Sequence, residues 1–206
     1  MIKTAIIYAS HHGTTETVAK LIQQELLPMP VDLIDLKANK NPGTGNYETI
    51  ILGSSIHAGK NQGLMQNFCK KNMPELLQKR IGLFLCCMNK AESEQNIQNA
   101  YPEILRNRAF SIHLMGGEYK MEKMNFIERI LLIKIAGVKE SQSCIDHEAI
   151  HQFADKIKEQ QIKKSTFLIK QNPLNCDTIE KESADKIDYK DTLIGMMLFF
   201  ESINFI

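Results

Sequence analysis

Six consecutive residues near the start of the chain form a small polar loop suited to binding an anion: Ser10-His11-His12-Gly13-Thr14-Thr15. A buried-strand pattern, Ala5-Ile6-Ile7-Tyr8, precedes them, and helical spacing of apolar residues follows from Val18 to Leu26. A loop that opens a helix presents unpaired backbone N–H groups and a partial positive charge. Three hydroxyl groups add donors, and Gly13 lets the backbone approach a ligand closely. The loop therefore predicts a phosphate site, with plain helix capping as the alternative.

Two further polar segments each follow an apolar run that has the pattern of a buried strand. The run Thr49–Gly53 is followed by Ser54-Ser55-Ile56-His57-Ala58-Gly59, and the run Ile81–Cys87 is followed by Met88-Asn89-Lys90. Continuous apolar runs are typical of central strands in a parallel sheet. Open α/β sheets bind their ligands at the carboxyl ends of the strands. We therefore expect the three polar segments to form one site.

The rest of the sequence predicts five strands with helices between them, and a sheet of these strands would bring the three polar segments together. Strands are expected at residues 5–8, 31–35, 49–53, 81–87 and 109–115. Helices are expected up to Leu26 and over about 63–78, 92–107 and 146–164, whereas residues 37–46 should cross with little or no helix. Alternating strands and helices form βαβ units, so the pattern predicts an α/β fold with a parallel sheet covered on both faces.

The segment Lys120–Val138 interrupts this alternation. As one helix it would carry two apolar stripes with charged residues between them, which is more apolar surface than packing on one neighbour requires. A buried helix or a dimer contact is one interpretation, and contact with a membrane surface or a lipophilic substrate is the other. The segment is too short and too charged to span a bilayer. Residues 165–206 are expected to form a tail of unknown role.

Composition narrows the classes of function. The chain has 206 residues, 43% of them apolar and 24% charged, which suits one soluble domain with an appendage. A net charge of +1 without a basic block gives no support to a nucleic-acid partner. Five cysteines without a Cys-x-x-Cys pair indicate neither a zinc site nor a disulfide framework, so no metal is expected and a reducing cytoplasm is the simplest location. Cys86 and Cys87 are adjacent in a strand, so their side chains should point to opposite faces.

These residues resemble the flavodoxin family. The loop Ser10–Thr15 is similar to the family's phosphate-binding loop, S/T-x-T-G-x-T, with His12 where threonine is usual. More narrowly, three segments resemble the flavodoxin-type, menaquinone-dependent protoporphyrinogen dehydrogenases: YASHHGTTETVAKLI, NYETIILGSSIHAGKNQGLMQNFCKKN, and the GEY sequence with the segment after it. The resemblance covers residues 1 to about 164. It implies a flavodoxin-like, doubly wound, five-stranded parallel sheet of order 2-1-3-4-5, with a helical insertion at about 120–138 after the fifth strand.

The resemblance also implies FMN as the cofactor and assigns residues to it by position. The phosphate would be held by Ser10, His11, His12, Gly13, Thr14 and Thr15. The flavin ring would be bordered on one side by Ser54, Ser55, Ile56, His57, Ala58 and Gly59, and on the other by Cys87, Met88, Asn89 and Lys90. No catalytic acid or base is identified. Positive charge from Lys60, Lys90, His12 or His57 would stabilise an anionic reduced flavin, so its potential should be less negative than that of a classical flavodoxin.

The function that the resemblance implies is an FMN-dependent oxidoreductase similar to protoporphyrinogen dehydrogenase. Its flavin would accept reducing equivalents from an organic substrate and pass them to a quinone. Two alternatives stay open: a flavodoxin that passes single electrons between protein partners, and a flavodoxin-fold interaction module that binds no flavin. A quinone and a lipophilic or porphyrin substrate are the expected partners. Peripheral contact with the inner face of the membrane through residues 120–138, and association into homo-oligomers, stay open as well.

Overall fold

The fold is known from a computed structural model that describes residues 3–57, 60–61, 63–88 and 93–171. Its main sheet contains five parallel strands: β1 (Thr4–Tyr8), β2 (Val31–Asp35), β3 (Thr49–His57), β5 (Arg80–Cys86) and β6 (Ala109–Leu114). A short strand, β4 (Lys60–Asn61), pairs antiparallel with the end of β3. The parallel strands lie in the order β2-β1-β3-β5-β6, which confirms the predicted order 2-1-3-4-5.

Helices connect the strands on both faces of the sheet. They are α1 (Thr14–Glu25), α2 (Gly63–Leu76), α3 (Ser93–Ala100), α4 (Glu103–Arg108), α5 (Phe126–Ala136) and α6 (His147–Gln171). The single helix expected over 92–107 is wrong, because the chain breaks at Tyr101 and Pro102 into α3 and α4. Proline disfavours helical backbone in the residue before it and suits the start of a new helix. Pro74 lies inside α2 without interrupting it.

Each central strand supplies apolar side chains to both faces of the sheet. Ile7, Leu52 and Leu83 belong to one buried cluster, whereas their neighbours Ile6, Ile51 and Phe84 belong to the other. Adjacent residues of a strand point to opposite faces, so a strand covered on both sides must be apolar throughout. The continuous apolar runs of the sequence therefore become the centre of a doubly wound sheet.

A second, two-stranded antiparallel sheet follows β6 and was not predicted. It pairs β7 (Gly116–Tyr119) with β8 (Gln142–Ile145), and the chain between them is called the β7–β8 insertion below. Gly116 has a φ of 68°, and a Cβ atom there would lie 1.8 Å from the carbonyl oxygen of Cys144. Only glycine fits this approach of the two backbones.

The β7–β8 insertion differs from the single helix expected over residues 120–138. A 3-10 turn (Met121–Lys123) comes first, and α5 starts only after the capping residue Asn125. Five apolar side chains of α5 are exposed to solvent, so the interpretation as a buried helix is wrong for the single chain. These side chains belong to Phe126, Ile127, Ile130, Leu131 and Ile133.

Two compact units divide the chain, one of residues 1–161 and one of residues 162–206. The domain boundary expected at residue 164 stays a prediction, as does the role of the tail. Most of that tail, including the apolar run Leu193–Phe200, lies outside the described residues. No helix in the described part of the chain is long and apolar enough to cross a membrane.

Candidate functional site

The loop between β1 and α1 has the backbone of an anion-binding turn. Gly13 has a φ of 93°, and its N–H group donates to Ser10 Oγ at 3.0 Å. Thr17 Oγ1 donates to the carbonyl oxygen of Gly13 at 3.1 Å. Gly13 itself occupies the N-cap position of α1, so no side chain caps the helix. Plain capping is therefore not what the polar residues of this loop provide, and the positive end of α1 faces the loop.

The two threonines of the loop, Thr14 and Thr15, are both buried. The buried hydroxyl of Thr15 has no hydrogen-bond partner in the part of the chain that the structure describes, although it lies close enough to the thiol of Cys86 on β5 to lower the pKa of that thiol. Burial raises the pKa of the Cys86 thiol to about 12, against the effect of this contact. Thr15 thus lies beside β5, and its contact with a phosphate stays a prediction.

The two histidines of the loop meet a carboxylate from the β7–β8 insertion. Glu128 Oε1 lies 3.6 Å from His11 Nε2, and Glu128 Oε2 lies 3.4 Å from His12 Nε2. His12 is buried, whereas His11 is about half exposed with a side-chain exposure of 54%. The pKa of His12 is lowered mainly by burial and next by the neighbouring His11, while Glu128 opposes this shift. The first turn of α5 is therefore attached to the loop.

Three lysines surround the same loop. Lys37 Nζ donates to the carbonyl oxygen of His11 at 3.2 Å. A Cβ atom on Gly13 would lie 3.1 Å from Lys123 Nζ and 4.0 Å from Lys120 Nζ.

His11, His12 and Glu128 bring three possible metal-ligand atoms within 4.8 Å of one another. Ammonium groups this close disfavour a bound cation and favour an anion, so we assign no metal here.

The segments expected to border the flavin ring lie next to this loop. Tyr8 of β1 is paired with Gly53 of β3, which is paired in turn with Phe84 of β5, so the carboxyl ends of these strands are neighbours. The prediction that the third strand ends at Gly53 is wrong, because β3 continues to His57. Ser54 and Ser55 are buried strand residues, and Ser55 is paired with Cys86.

Part of the predicted ring site lies outside the described residues. This applies to Ala58, Gly59, Asn89 and Lys90, and to the side chains of His57 and Lys60. The roles assigned to these positions stay predictions.

Cys87 and Met88 follow β5 directly, and Cys87 is held by two described contacts. The Cys87 N–H group donates to the carbonyl oxygen of Gly116 at 2.7 Å. Asn96 Nδ2 on α3 donates to Cys87 Sγ at 3.1 Å. Because Cys86 faces Thr15 and Cys87 faces Asn96, the two thiols point to opposite faces, as predicted.

Sequence reasoning missed the residues that reach the site from a distance. Asn96 contacts Cys87, and the hydroxyl of Tyr101 lies 2.6 Å from the carbonyl oxygen of Phe84. Lys120, Lys123 and Glu128 lie more than 100 positions after the loop they contact. Their charges were visible in the sequence, but no spacing rule shows that the β7–β8 insertion folds back onto the loop.

A family model described as flavodoxin domain matches residues 5–146. The chain belongs to the flavodoxin domain family. This match includes β2 to β8, all of β1 except Thr4, and every residue of the candidate site. The resemblance seen in the sequence is thereby confirmed at the level of the family.

Two curated relatives of this flavodoxin-domain chain are named protoporphyrinogen IX dehydrogenase [quinone]. The one from Leishmania major is 24% identical over 147 residues, which are 66% of this chain and 64% of the relative. The one from Escherichia coli strain K12 is 29% identical over 77 residues, 36% of this chain and 42% of the relative. Neither match therefore reaches two thirds of the relative's length.

Among solved structures, rubredoxin oxygen:oxidoreductase from Desulfovibrio gigas is similar in fold. It superposes with a TM-score of 0.50 and 16% sequence identity, over 79% of this chain and 36% of that one.

Proposed function

We propose that this protein is a flavin-binding oxidoreductase that uses FMN. It takes reducing equivalents from an organic substrate and passes them to a quinone. The observation that carries the proposal is the Gly13 loop, which combines left-handed backbone, the start of α1 and nearby ammonium groups at the carboxyl end of β1. Such a place suits the phosphate of a nucleotide cofactor. Membership of the flavodoxin domain family and the two named relatives supply the rest of the support.

The residues present fit this cofactor at the phosphate end. Gly13 carries no Cβ atom, so the mouth of the loop stays open beneath Lys123. The segment that begins at Ser54 near the end of β3 and the segment that begins at Cys87 after β5 would hold the ring. When bound, the flavin would supply the capacity to accept a hydride or electrons. The protein's own part is to bind, orient and shield the ring from water.

The exposed apolar face of α5 supports a lipophilic partner for the same function. Phe126 and Ile127 are 77% and 76% exposed, and three further apolar side chains extend the face along the helix. The first turn of α5 also contacts the phosphate loop through Glu128. We propose that a membrane-dissolved quinone reaches the site along this face, with the protein in the cytoplasm and α5 at the inner face of the membrane. Self-association through α5 is the competing use of this surface.

The proposal is tested by reducing and reoxidising the FMN-loaded full chain without oxygen. Protoporphyrinogen IX is added first, and loss of the flavin absorbance is followed; menadione is then added, and recovery of the absorbance is followed. We expect both steps with the wild type. Reduction by a flavodoxin reductase but not by protoporphyrinogen would instead favour an electron carrier. If the chain binds no flavin, the remaining interpretation is a flavodoxin-fold interaction module.

The lipophilic partner is tested separately with vesicles. Phe126→Ser combined with Ile127→Ser should abolish sedimentation of the protein with lipid vesicles, whereas Leu27→Ser, at an exposed leucine outside the insertion, should not. If the Phe126→Ser/Ile127→Ser variant sediments with vesicles as much as Leu27→Ser does, this part of the proposal is contradicted. It is also contradicted if size-exclusion chromatography shows a dimer that depends on α5 and the protein does not bind vesicles.

A further inference from the structure

Two ammonium groups of the β7–β8 insertion lie over the glycine of the phosphate loop. Lys123 Nζ is 3.1 Å, and Lys120 Nζ 4.0 Å, from the position that a Cβ atom on Gly13 would take. Lys120 Nζ also lies 3.5 Å from the hydroxyl oxygen of Thr17 on the first turn of α1. Both lysines are therefore close to the place where an anion in the loop would lie.

The carboxylates around these lysines have partners other than Lys123, so the ammonium group of Lys123 is able to bind an anion. Lys120 is paired with Glu118 at 2.7 Å, and both side chains are largely buried. Glu16 is paired with Lys20 at 2.6 Å, and Glu122 accepts from Ser141 Oγ at 2.8 Å. Within the part of the chain that the structure describes, the ammonium group of Lys123 makes no hydrogen bond or ion pair, and only its backbone N–H donates, to the carbonyl oxygen of Lys120 at 2.9 Å. The pKa of Glu16 is lowered mainly by its hydrogen bond with Lys20, and that of Glu122 mainly by a backbone hydrogen bond; the nearby charge of Lys123 adds a smaller lowering in both cases.

The position of the lysines is fixed by contacts on both sides of them in the chain. On one side, β7 is paired with β8, and Gly116 accepts a hydrogen bond from Cys87 beside the sheet. On the other, Glu128 contacts His11 and His12. Glu128 also forms a reciprocal capping box with Asn125, with both hydrogen bonds at 2.9 Å. The short segment that carries Lys120 and Lys123 is thus held between two attachments to the domain.

We propose that Lys120 and Lys123 are phosphate-binding residues that the β7–β8 insertion supplies to the cofactor site. This inference rests on the proposed function. A phosphate monoester carries a charge of nearly −2 at neutral pH, and lysine pairs with it as a compact point charge. The backbone N–H groups and the helix dipole supply only partial charges. The two lysines therefore make the site prefer the phosphorylated flavin over riboflavin, which carries the same ring without the phosphate.

The test compares the affinities of FMN and riboflavin for the full chain by quenching of flavin fluorescence. Lys123→Met keeps the length of the side chain and removes its charge. We expect it to weaken FMN binding about tenfold, the usual size of a hydrogen bond to a charged group, and to leave riboflavin binding unchanged. Removal of Lys120 alone would leave Glu118 unpaired, so Lys120→Met is combined with Glu118→Gln, with the same expectation. Lys134→Met, at an exposed lysine in the last turn of α5, is the control and should bind both flavins as the wild type does.

Salt provides a second readout. FMN affinity of the wild type should fall more steeply between 50 mM and 500 mM KCl than that of Lys123→Met, because fewer charges bind the phosphate in the variant. Equal FMN affinity of Lys123→Met and the wild type, or equal losses for FMN and riboflavin, would overturn the inference while the proposed function stands. A wild-type chain that binds neither flavin would overturn both.

Discussion

The hydroxyl of Tyr101 connects β3 and β5 immediately before the residues of the candidate site. Its oxygen lies 2.6 Å from the carbonyl oxygen of Phe84 and 3.0 Å from that of Leu52, and the side chain is almost fully buried. Burial raises the pKa of Tyr101 well above its usual value, so the hydroxyl keeps its proton and remains a donor. Tyr101→Phe removes this group and leaves the ring in place.

The expected loss follows from the position of the acceptors. Without the hydroxyl, these buried carbonyl oxygens lose one donor, and water cannot replace it in a packed interior. This costs about 1–3 kcal/mol. A central value of about 2 kcal/mol corresponds to a fall in Tm of roughly 4–8 °C for a chain of this size.

Tyr47→Phe is the matched control for this substitution. The hydroxyl of Tyr47 donates to Asp32 Oδ2 at 2.8 Å, but in an exposed position where water can replace the bond. Its removal should change the free energy of unfolding by no more than about 0.5 kcal/mol. Thermal and urea denaturation of the two variants measure the difference. If Tyr101→Phe is no more destabilising than Tyr47→Phe, the argument that this hydroxyl holds the two strands together is refuted.

Three further predictions concern the core, the pH dependence and the thiols. Gly53→Ala should destabilise the chain by about 1–3 kcal/mol, because its Cβ atom would lie 2.1 Å from Phe84 Cζ, and Phe84→Leu should recover part of the loss in a double-mutant cycle. The pKa of His113 is lowered mainly by burial. Its neutral form therefore contributes stability above pH 6.5, which is lost as the pH falls through the lowered pKa. Between pH 7.5 and 5.5, the urea midpoint of His113→Asn should fall less than that of the wild type. Iodoacetamide should label the exposed Cys144 of the native chain, with peptide mapping as the readout, and the buried thiols only after unfolding. These buried thiols are Cys69, Cys86 and Cys87.

The sheet could be predicted from the sequence because its strands are short, apolar on both faces and separated by helical spacing. The runs around Ile6, Ile51 and Leu83 carry that pattern, and their order follows from the family resemblance. The pattern fails where a strand stops being apolar. β3 continues through Ser54 and Ser55 because Ser55 still pairs with Cys86 on β5, and pairing with a neighbour is not visible in one sequence.

The candidate site was predictable where it is local in the sequence. A glycine among hydroxyl residues at the start of a helix predicts an anion-binding loop, and Gly13 has the left-handed backbone that such a loop uses; its binding of phosphate stays a prediction. The contacts that come from a distance were not predictable. Glu128 reaches His11 and His12 from α5, and the pairing of β7 with β8 that supports this contact depends on the close backbone approach at Gly116.

Titration of FMN into the full chain, followed by the flavin absorbance, tests the central claim most directly. Gly13→Ala and Gly43→Ala are compared with the wild type. A side chain at Gly13 is strained by its φ of 93° and would meet Lys123, whereas a Cβ atom on Gly43 has no neighbour within 4 Å. We predict that the wild type binds one FMN and that Gly43→Ala binds it unchanged. Gly13→Ala should bind FMN about tenfold more weakly, because its loop can relax to right-handed backbone when FMN is absent, and returning a residue with a Cβ to left-handed backbone on binding costs about 1–2 kcal/mol. No FMN binding by the wild type, or equal affinities of all three proteins, would contradict the account.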